Sequence, residues 1–221
     1  MAGMATTPAT TTRFVLARHG EAQGNREMRY LGTTDVPLTP RGEAQARQLA
    51  EAVRPFRPGA LYSSALRRAR ATAEEIGALL HLDVVVSDDL REQDFGVWED
   101  RSRAEVQASD PERLAAWEAG ADVAPPAGES LAATRERVVA CADLLAARHP
   151  GETVVLASHV GPIKALVCVA LTLPASGAHR MWLDPASICV IDWNRSPDTS
   201  SGILRVFNAI AHLDPPVRWL G

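Results

Sequence analysis

The chain reads as an α/β protein, a three-layer α/β/α sandwich around a largely parallel, mixed central sheet. Three observations predict this. Short apolar runs of strand length alternate with amphipathic helical stretches along the 221 residues. Phe14-Val15-Leu16-Ala17 and Thr153-Val154-Val155-Leu156-Ala157 are almost continuously apolar, as strands covered on both faces are. Near the end, runs 188–193 and 203–207 are separated by Ser196-Pro197-Asp198 and Ser201-Gly202, turn chemistry that suits an antiparallel pair.

The elements follow in order. After strand 14–17, a loop ends at Asp35-Val36-Pro37-Leu38-Thr39-Pro40. Thr39 is placed to cap a helix, Pro40 suits its first position, and residues 41–53 continue it with many alanines. Pro55, Pro58 and Gly59 break that helix before a buried strand at 60–63. Leu66, Ala69, Ala73, Ile76 and Leu80 recur at helical spacing over 65–80, and Val84-Val85-Val86 is a further strand. Residues 90–99 are irregular and anchored by Phe95-Gly96-Val97-Trp98. Short helices are expected at 103–108 and 111–119, a loop at Pro125-Pro126-Ala127-Gly128, and a long helix at 129–148. Strand 153–157 is the clearest central strand, with a helix over 162–171 just after it. Residues 1–13, small and Thr-rich, are expected to be a disordered tail. Residues 14–221 form one domain with a helical lid near 100–128, in which Trp117 and Pro125 are the expected lid side chains.

Composition narrows the classes. The net charge of −4 leaves no basic footprint for nucleic acid, so an anion site must be a local cluster of arginines. No apolar run is long enough to cross a membrane. Cys141, Cys168 and Cys189 are widely spaced in apolar or helical contexts, which suits buried thiols in a reducing, cytoplasmic compartment. Lys164, the only lysine, reads as a solvated helix side chain, and His81, His149 and His179 read as surface residues.

Chemistry concentrates at three strand ends. The first delivers Arg18 and His19 with Gly20-Glu21, and Asn25 six residues past the histidine. The second runs through Ser63-Ser64-Ala65-Leu66 into Arg67-Arg68, an arginine in the first turn of a helix. The third ends at Ser158-His159, at the amino end of another helix. Carboxyl ends of strands are where α/β folds bind ligands, and helix amino ends favour phosphate. Arginine forks grip two phosphate oxygens at once. A metal would want a third ligand near either histidine, and none stands there, so neither metal nor cofactor is expected.

At these residues the chain resembles the histidine phosphatase superfamily, the phosphoglycerate-mutase-like fold. The resemblance is carried by Arg18-His19-Gly20-Glu21 with Asn25, by Gly32-Thr33-Thr34-Asp35-Val36-Pro37-Leu38-Thr39, and by Ser63-Ser64-Ala65-Leu66-Arg67-Arg68-Ala69 with Thr72-Ala73. It continues through Glu92 with Phe95-Gly96-Val97-Trp98-Glu99, Gly128-Glu129-Ser130, Ser158-His159, and Asn208 with His212-Leu213. It implies that His19 is the nucleophile that becomes phosphorylated. Arg18, Arg68 and His159 would hold the phosphate with Asn25 and the backbone N–H of Val160, and Glu92 would be the general acid and then base. Arg67 beside Arg68 and Asp94 near Glu92 are rivals by position, Asn25 has the alternative of capping a turn, and His212 reads as structural. For this chemistry His19 must be neutral at the attacking nitrogen, with its other nitrogen donating to a backbone carbonyl and the arginines lowering its pKa. Glu92 must carry a proton when attack begins, which partial burial beside Phe95 or Trp98 would favour.

Departures from the family pattern refine the expectation. Gln93-Asp94-Phe95-Gly96 follows Glu92 where mutases resembling it have Arg-His-Tyr-Gly, and Leu31 replaces a small polar residue; both favour a phosphatase. His159-Val160-Gly161-Pro162-Ile163-Lys164 is similar to an acid-phosphatase domain that some actinobacterial proteins fuse to ribonuclease H, and to α-ribazole phosphatases. Asp100 stands where the family often has Gly, at a left-handed turn. The expectation is a metal-independent phosphomonoesterase acting on a small phosphorylated metabolite such as α-ribazole phosphate or a sugar or nucleoside phosphate. It binds no nucleic acid or membrane and is a monomer or homodimer. Trp182, Trp193 and Trp219 mark either core packing or a dimer surface. The alternatives are a phosphoglycerate-type mutase and a weakly catalytic protein that binds a phosphorylated ligand.

Overall fold

In the computed structural model, which describes residues 11–195 and 199–214, one six-stranded mixed sheet carries every strand. The strands are β1 (Thr12–Arg18), β2 (Ala60–Ser63), β3 (Val84–Val86), β4 (Thr153–Ser158), β5 (Ile188–Arg195) and β6 (Ser200–Ala209), in the order β3-β2-β4-β1-β5-β6. β1 with β4, β4 with β2 and β2 with β3 are parallel; β5 lies antiparallel to both β1 and β6.

Successive side chains of β1 point to opposite faces, and both faces are covered. Phe14 and Leu16 join Val138, Leu145, Ile163 and Leu166 on one side; Val15 and Ala17 join Leu49, Val53, Ala73 and Ile76 on the other. The first side is closed by α5 (Leu131–Arg148) and α6 (Val160–Ala170), the second by α1 (Pro40–Val53) and α2 (Arg67–Leu80). The local chemistry matches these boundaries. Thr39 Oγ1 accepts the Gly42 N–H with Pro40 at the first helical position, and Ser130 Oγ accepts from Ala133. α2 begins two residues later than its periodicity suggests, because the Ser64 hydroxyl first takes the Leu66 N–H in a tight turn. α6 begins two residues before Pro162, since a proline in the first turn removes no intrahelical bond.

Helices α3 (Arg103–Ser109) and α4 (Pro111–Glu118), in the segment 100–128, bury a small core of their own. Trp98, Val106 and Leu114 pack there with Tyr30, Phe95 and Trp117. Ser102 and Glu105 form a reciprocal capping box at α3, and Asp100 adopts the left-handed turn at φ 57°.

Several expectations need correction. Thr12 and Arg13 belong to β1 and not to a tail. Thr12 is buried and its hydroxyl donates to the carbonyls of Ala146 and His149, while Arg13 pairs with Asp192 at 2.7 Å. His149 is no surface residue: it bonds Tyr62 through Nε2 and Glu152 through Nδ1, each at 2.9 Å. His179 lies half-buried, its ring centroid 4.4 Å from that of Trp117. Trp193 is core, Trp182 is half exposed, and Trp219 lies outside the described residues. Among the described residues no helix is long and apolar enough to cross a membrane, and no cluster of three His, Cys, Asp or Glu side chains could hold a metal.

Candidate active site

β1 and β4 are neighbours in register, with Arg18 opposite Ser158, so their carboxyl ends deliver two histidines to one place. The rings of His19 and His159 lie 5.1 Å apart, centroid to centroid, both buried. His19 Nδ1 is 2.7 Å from the Gly20 carbonyl oxygen, which can only accept, so that nitrogen carries the proton. Nε2 is left with its lone pair, and Arg68 Nε donates to it at 3.3 Å. This is the tautomer a nucleophile needs.

Arg68, 1% exposed, is the arginine of the pair that enters the site. Its other two nitrogens donate to the carbonyls of Thr34 (2.8 Å) and Gly32 (2.7 Å). Those carbonyls are held in turn by Glu99, whose carboxylate accepts from Thr33 N, Thr33 Oγ1 and Thr34 Oγ1. Neighbouring Arg67 instead gives its backbone N–H to Asp35 at the helix start. Arg18 is anchored by the Leu183 carbonyl through one terminal nitrogen.

Electrostatics follow from this packing. Burial, then the charges of Arg68 and Arg18, hold His19 well below its ordinary pKa of 6.5; burial and the same arginines do so for His159. Burial also brings Arg18 down to about 10, against the opposing pull of Glu92 and Asp184. Both ring nitrogens of His159, and Nε of Arg18, are buried without a hydrogen-bond partner among the described residues. Buried polar atoms seldom go unpaired, so this cluster is built to receive an oxyanion.

Glu92 closes the opposite side. Its Oε1 accepts from Gln93 N (2.9 Å) and Gly161 N (2.8 Å), and Oε2 accepts from Val160 N (3.1 Å). Its carboxylate is thus held by the amino end of α6, and Phe95 borders the same cavity. This also corrects Val160: its N–H is committed to Glu92, and the residue borders the cavity instead of presenting a free donor to phosphate. A Cβ on Gly161 would lie 2.6 Å from Glu92 Oε1, so the approach requires glycine. Asn25 borders the cavity and also caps its own turn, Oδ1 accepting from Ala22 N at 2.8 Å.

The family model for the histidine phosphatase superfamily (branch 1) matches residues 14–201. The chain belongs to that superfamily. A bifunctional protein of Mycobacterium tuberculosis is 37% identical over 185 residues, 83% of this chain and 51% of that protein, so the chain spans about half the length of that relative. A probable phosphoglycerate mutase of Cronobacter sakazakii is 35% identical over 208 residues, 91% of this chain and 94% of its own. Among solved structures, a mycobacterial glucosyl-3-phosphoglycerate phosphatase complexed with VO3 superposes with a TM-score of 0.80 at 32% identity, over 89% of this chain and 99% of that one.

In this member of the superfamily, residues beyond the expected set also shape the site. Asp184 is held by Asn208 through two bonds of 2.8 Å and by the Trp182 indole N–H, which fixes the adjacent Leu183 carbonyl under Arg18. His212 Nε2 donates to the Ala186 carbonyl at 3.0 Å, bracing the same segment, whose Ala186 N–H donates to the His19 carbonyl. Asn208, one of the residues that carry the family resemblance, adopts φ 49°, which asparagine tolerates better than most residues. Lys164 is not the solvated side chain its sequence context suggests: it is half-buried and lines the cavity, with its ammonium lowered to about 8 chiefly by burial. Trp117 of α4 lines the cavity too, whereas Pro125 is buried and does not.

Proposed function

We propose that this histidine phosphatase hydrolyses phosphate monoesters of small metabolites through a phosphohistidine at His19. His19 Nε2 attacks phosphorus, the ester P–O bond breaks, and Glu92 gives its proton to the departing alkoxide oxygen. Water then attacks the phosphohistidine, Glu92 takes its proton, the P–N bond breaks, and phosphate leaves with His19 restored. Arg18, Arg68 and His159 bind the phosphoryl oxygens in both steps, with Asn25 at the margin, and neutralise charge as it develops. The Gly20 carbonyl, bonded to Nδ1–H, steadies the imidazolium that forms on phosphorylation. No step calls for a metal, and the substrate panel includes α-ribazole phosphate and sugar and nucleoside phosphates. A cytoplasmic setting suits three buried, free thiols.

The observation that carries this reading is the His19 tautomer: Nδ1 locked by a carbonyl, Nε2 nucleophilic and set against an arginine. The test is a radiolabelled aryl phosphate, quenched in alkali, with the label mapped by peptide sequencing. Label on His19 is expected, together with phosphate release that persists with chelator, and His19→Ala should lower turnover roughly 10⁴-fold or more. Label on another residue, or release that chelator abolishes, overturns the reading.

The likeness to a probable phosphoglycerate mutase favours one alternative, return of the phosphoryl group to a second hydroxyl. Interconversion of 3- and 2-phosphoglycerate faster than phosphate release would establish it.

A further inference from the structure

Beyond the phosphate cradle the cavity, about 370 Å³, has a wall of one character: Met28, Tyr30, Phe95, Trp117, Trp182 and Leu183. The charged groups that border it are nearly all committed. Arg18 and Arg68 hold the carbonyls of Leu183, Thr34 and Gly32 and face the phosphate side. Arg29, at the rim, bonds the Asp100 carbonyl and pairs with Glu105 at 3.6 Å. Glu92 is held by three amides. Lys164 alone among them has neither a hydrogen bond nor an ion pair among the described residues, although it is half-buried. It stands one helical turn from Val160 on the face of α6 that borders the cavity, and it lines a smaller adjoining space behind Trp117 as well.

We propose that Lys164 is a specificity-determining residue that binds a carboxylate carried by the alcohol of the phosphate monoester, whose apolar, arene-sized body lies against Trp117 and Tyr30. This rests on the phosphatase reading of the same cavity. The Lys164 ammonium is the one charged side-chain donor there without a partner among the described residues. The Trp117 indole N–H, buried and also without a partner among them, borders the same space. Together they match one negative charge spread over two acceptor oxygens, whereas a second phosphate dianion would need a fork of arginines like the one at His19. The apolar wall strengthens the pair, because little water competes for either charge. With the Lys164 ammonium at about 8, the charged form predominates at neutral pH, and an arriving carboxylate favours it further. Arg18, Glu92, Cys168 and His179 are the titratable groups whose fields couple to it, and none of them is within ion-pair distance. Among small metabolites, esters bearing a carboxylate therefore rank ahead of α-ribazole phosphate.

The test compares carboxyphenyl phosphates, ring isomer by ring isomer, with their isosteric carbamoylphenyl phosphates. The native protein should prefer at least one carboxylate isomer about tenfold in kcat/KM, chiefly through KM. In Lys164→Met that ratio should fall to near one, and Lys164→Arg should keep part of it. Equal kcat/KM for acid and amide in the native protein, or a ratio that Lys164→Met does not change, overturns the proposal. Calorimetry with the corresponding non-hydrolysable phosphonates reads the same preference without turnover. If no ester is hydrolysed while the carboxylate phosphonates still bind about tenfold tighter, the phosphatase reading fails and the Lys164 assignment stands.

Discussion

His19 is prepared by what surrounds it. A carbonyl accepts a hydrogen bond from its Nδ1–H, an arginine faces Nε2, and burial with two guanidinium charges keeps the ring neutral. The sign of the pH effect follows. In the proposed reaction only neutral His19 attacks, and its pKa lies well below 6.5, so kcat/KM for an aryl phosphate should hold up as pH falls past 6.5, with the acid limb due to His19 below that value. Arg68→Met removes one of the charges that lower it, so that limb should move toward neutrality while kcat/KM drops roughly 10²–10³-fold. A pH profile of both proteins checks this, and an unshifted limb would count against the electrostatic account. At this scale the sequence was informative where residue type alone dictates chemistry, as for His19, Arg68 and His159. It misled for Val160 and Lys164, because whether an amide is already bonded, or a lysine points into a cavity, depends on neighbours from other elements.

At the scale of elements, Glu92 is aimed by α6 and by a strut behind it. The Arg137 guanidinium donates to the carbonyls of Asp89 and Arg91 and pairs with Glu129 at 2.8 Å, while Glu129 also accepts the Asp94 N–H. The Gly128-Glu129-Ser130 motif thus supports the loop that carries the acid, as well as capping α5 through Ser130. In Gly161→Ala the new methyl would push against the Glu92 carboxylate, a side-chain end and not backbone. Thermal stability should therefore change little, alanine being the better helix former, while kcat falls about ten- to a hundredfold. Parallel melting curves and aryl phosphate kinetics decide it; loss of fold with loss of activity would show that the glycine serves packing instead. Helices and strands were largely legible from periodicity and caps. Their starts moved by a residue or two where a hydroxyl or a proline took over local bonding, as at Ser64 and Pro162.

For the whole molecule, several histidines are packed away neutral. Burial lowers His19, His159, His179 and His212 below the ordinary value of 6.5, His19 and His159 furthest. The unfolded chain takes up protons at these sites near pH 6.5 and the folded protein does not. Stability from this source is complete above 6.5 and is lost as pH falls toward the folded values. The melting midpoint should therefore drop between pH 7 and pH 5. Inorganic phosphate, bound only by the folded cradle, should raise it, since at a hundred times its dissociation constant it adds about 2.7 kcal/mol to the unfolding free energy. A midpoint independent of pH over that interval would mean these rings are not buried neutral.

Residue order alone determined the α/β sandwich, the strand ends that carry Arg18, His19 and His159, and the superfamily, because alternating apolar runs, caps and turn residues act over a few neighbours. Which groups are free to meet a ligand was decided only in three dimensions. The Val160 amide is spent on Glu92, the Leu183 carbonyl is set under Arg18 by Asn208 through Asp184, and Lys164 is left uncommitted in an apolar cavity. Each of these is a pairing across many residues of chain, and hydrogen-bond saturation is a property of the packed neighbourhood, which no local pattern encodes.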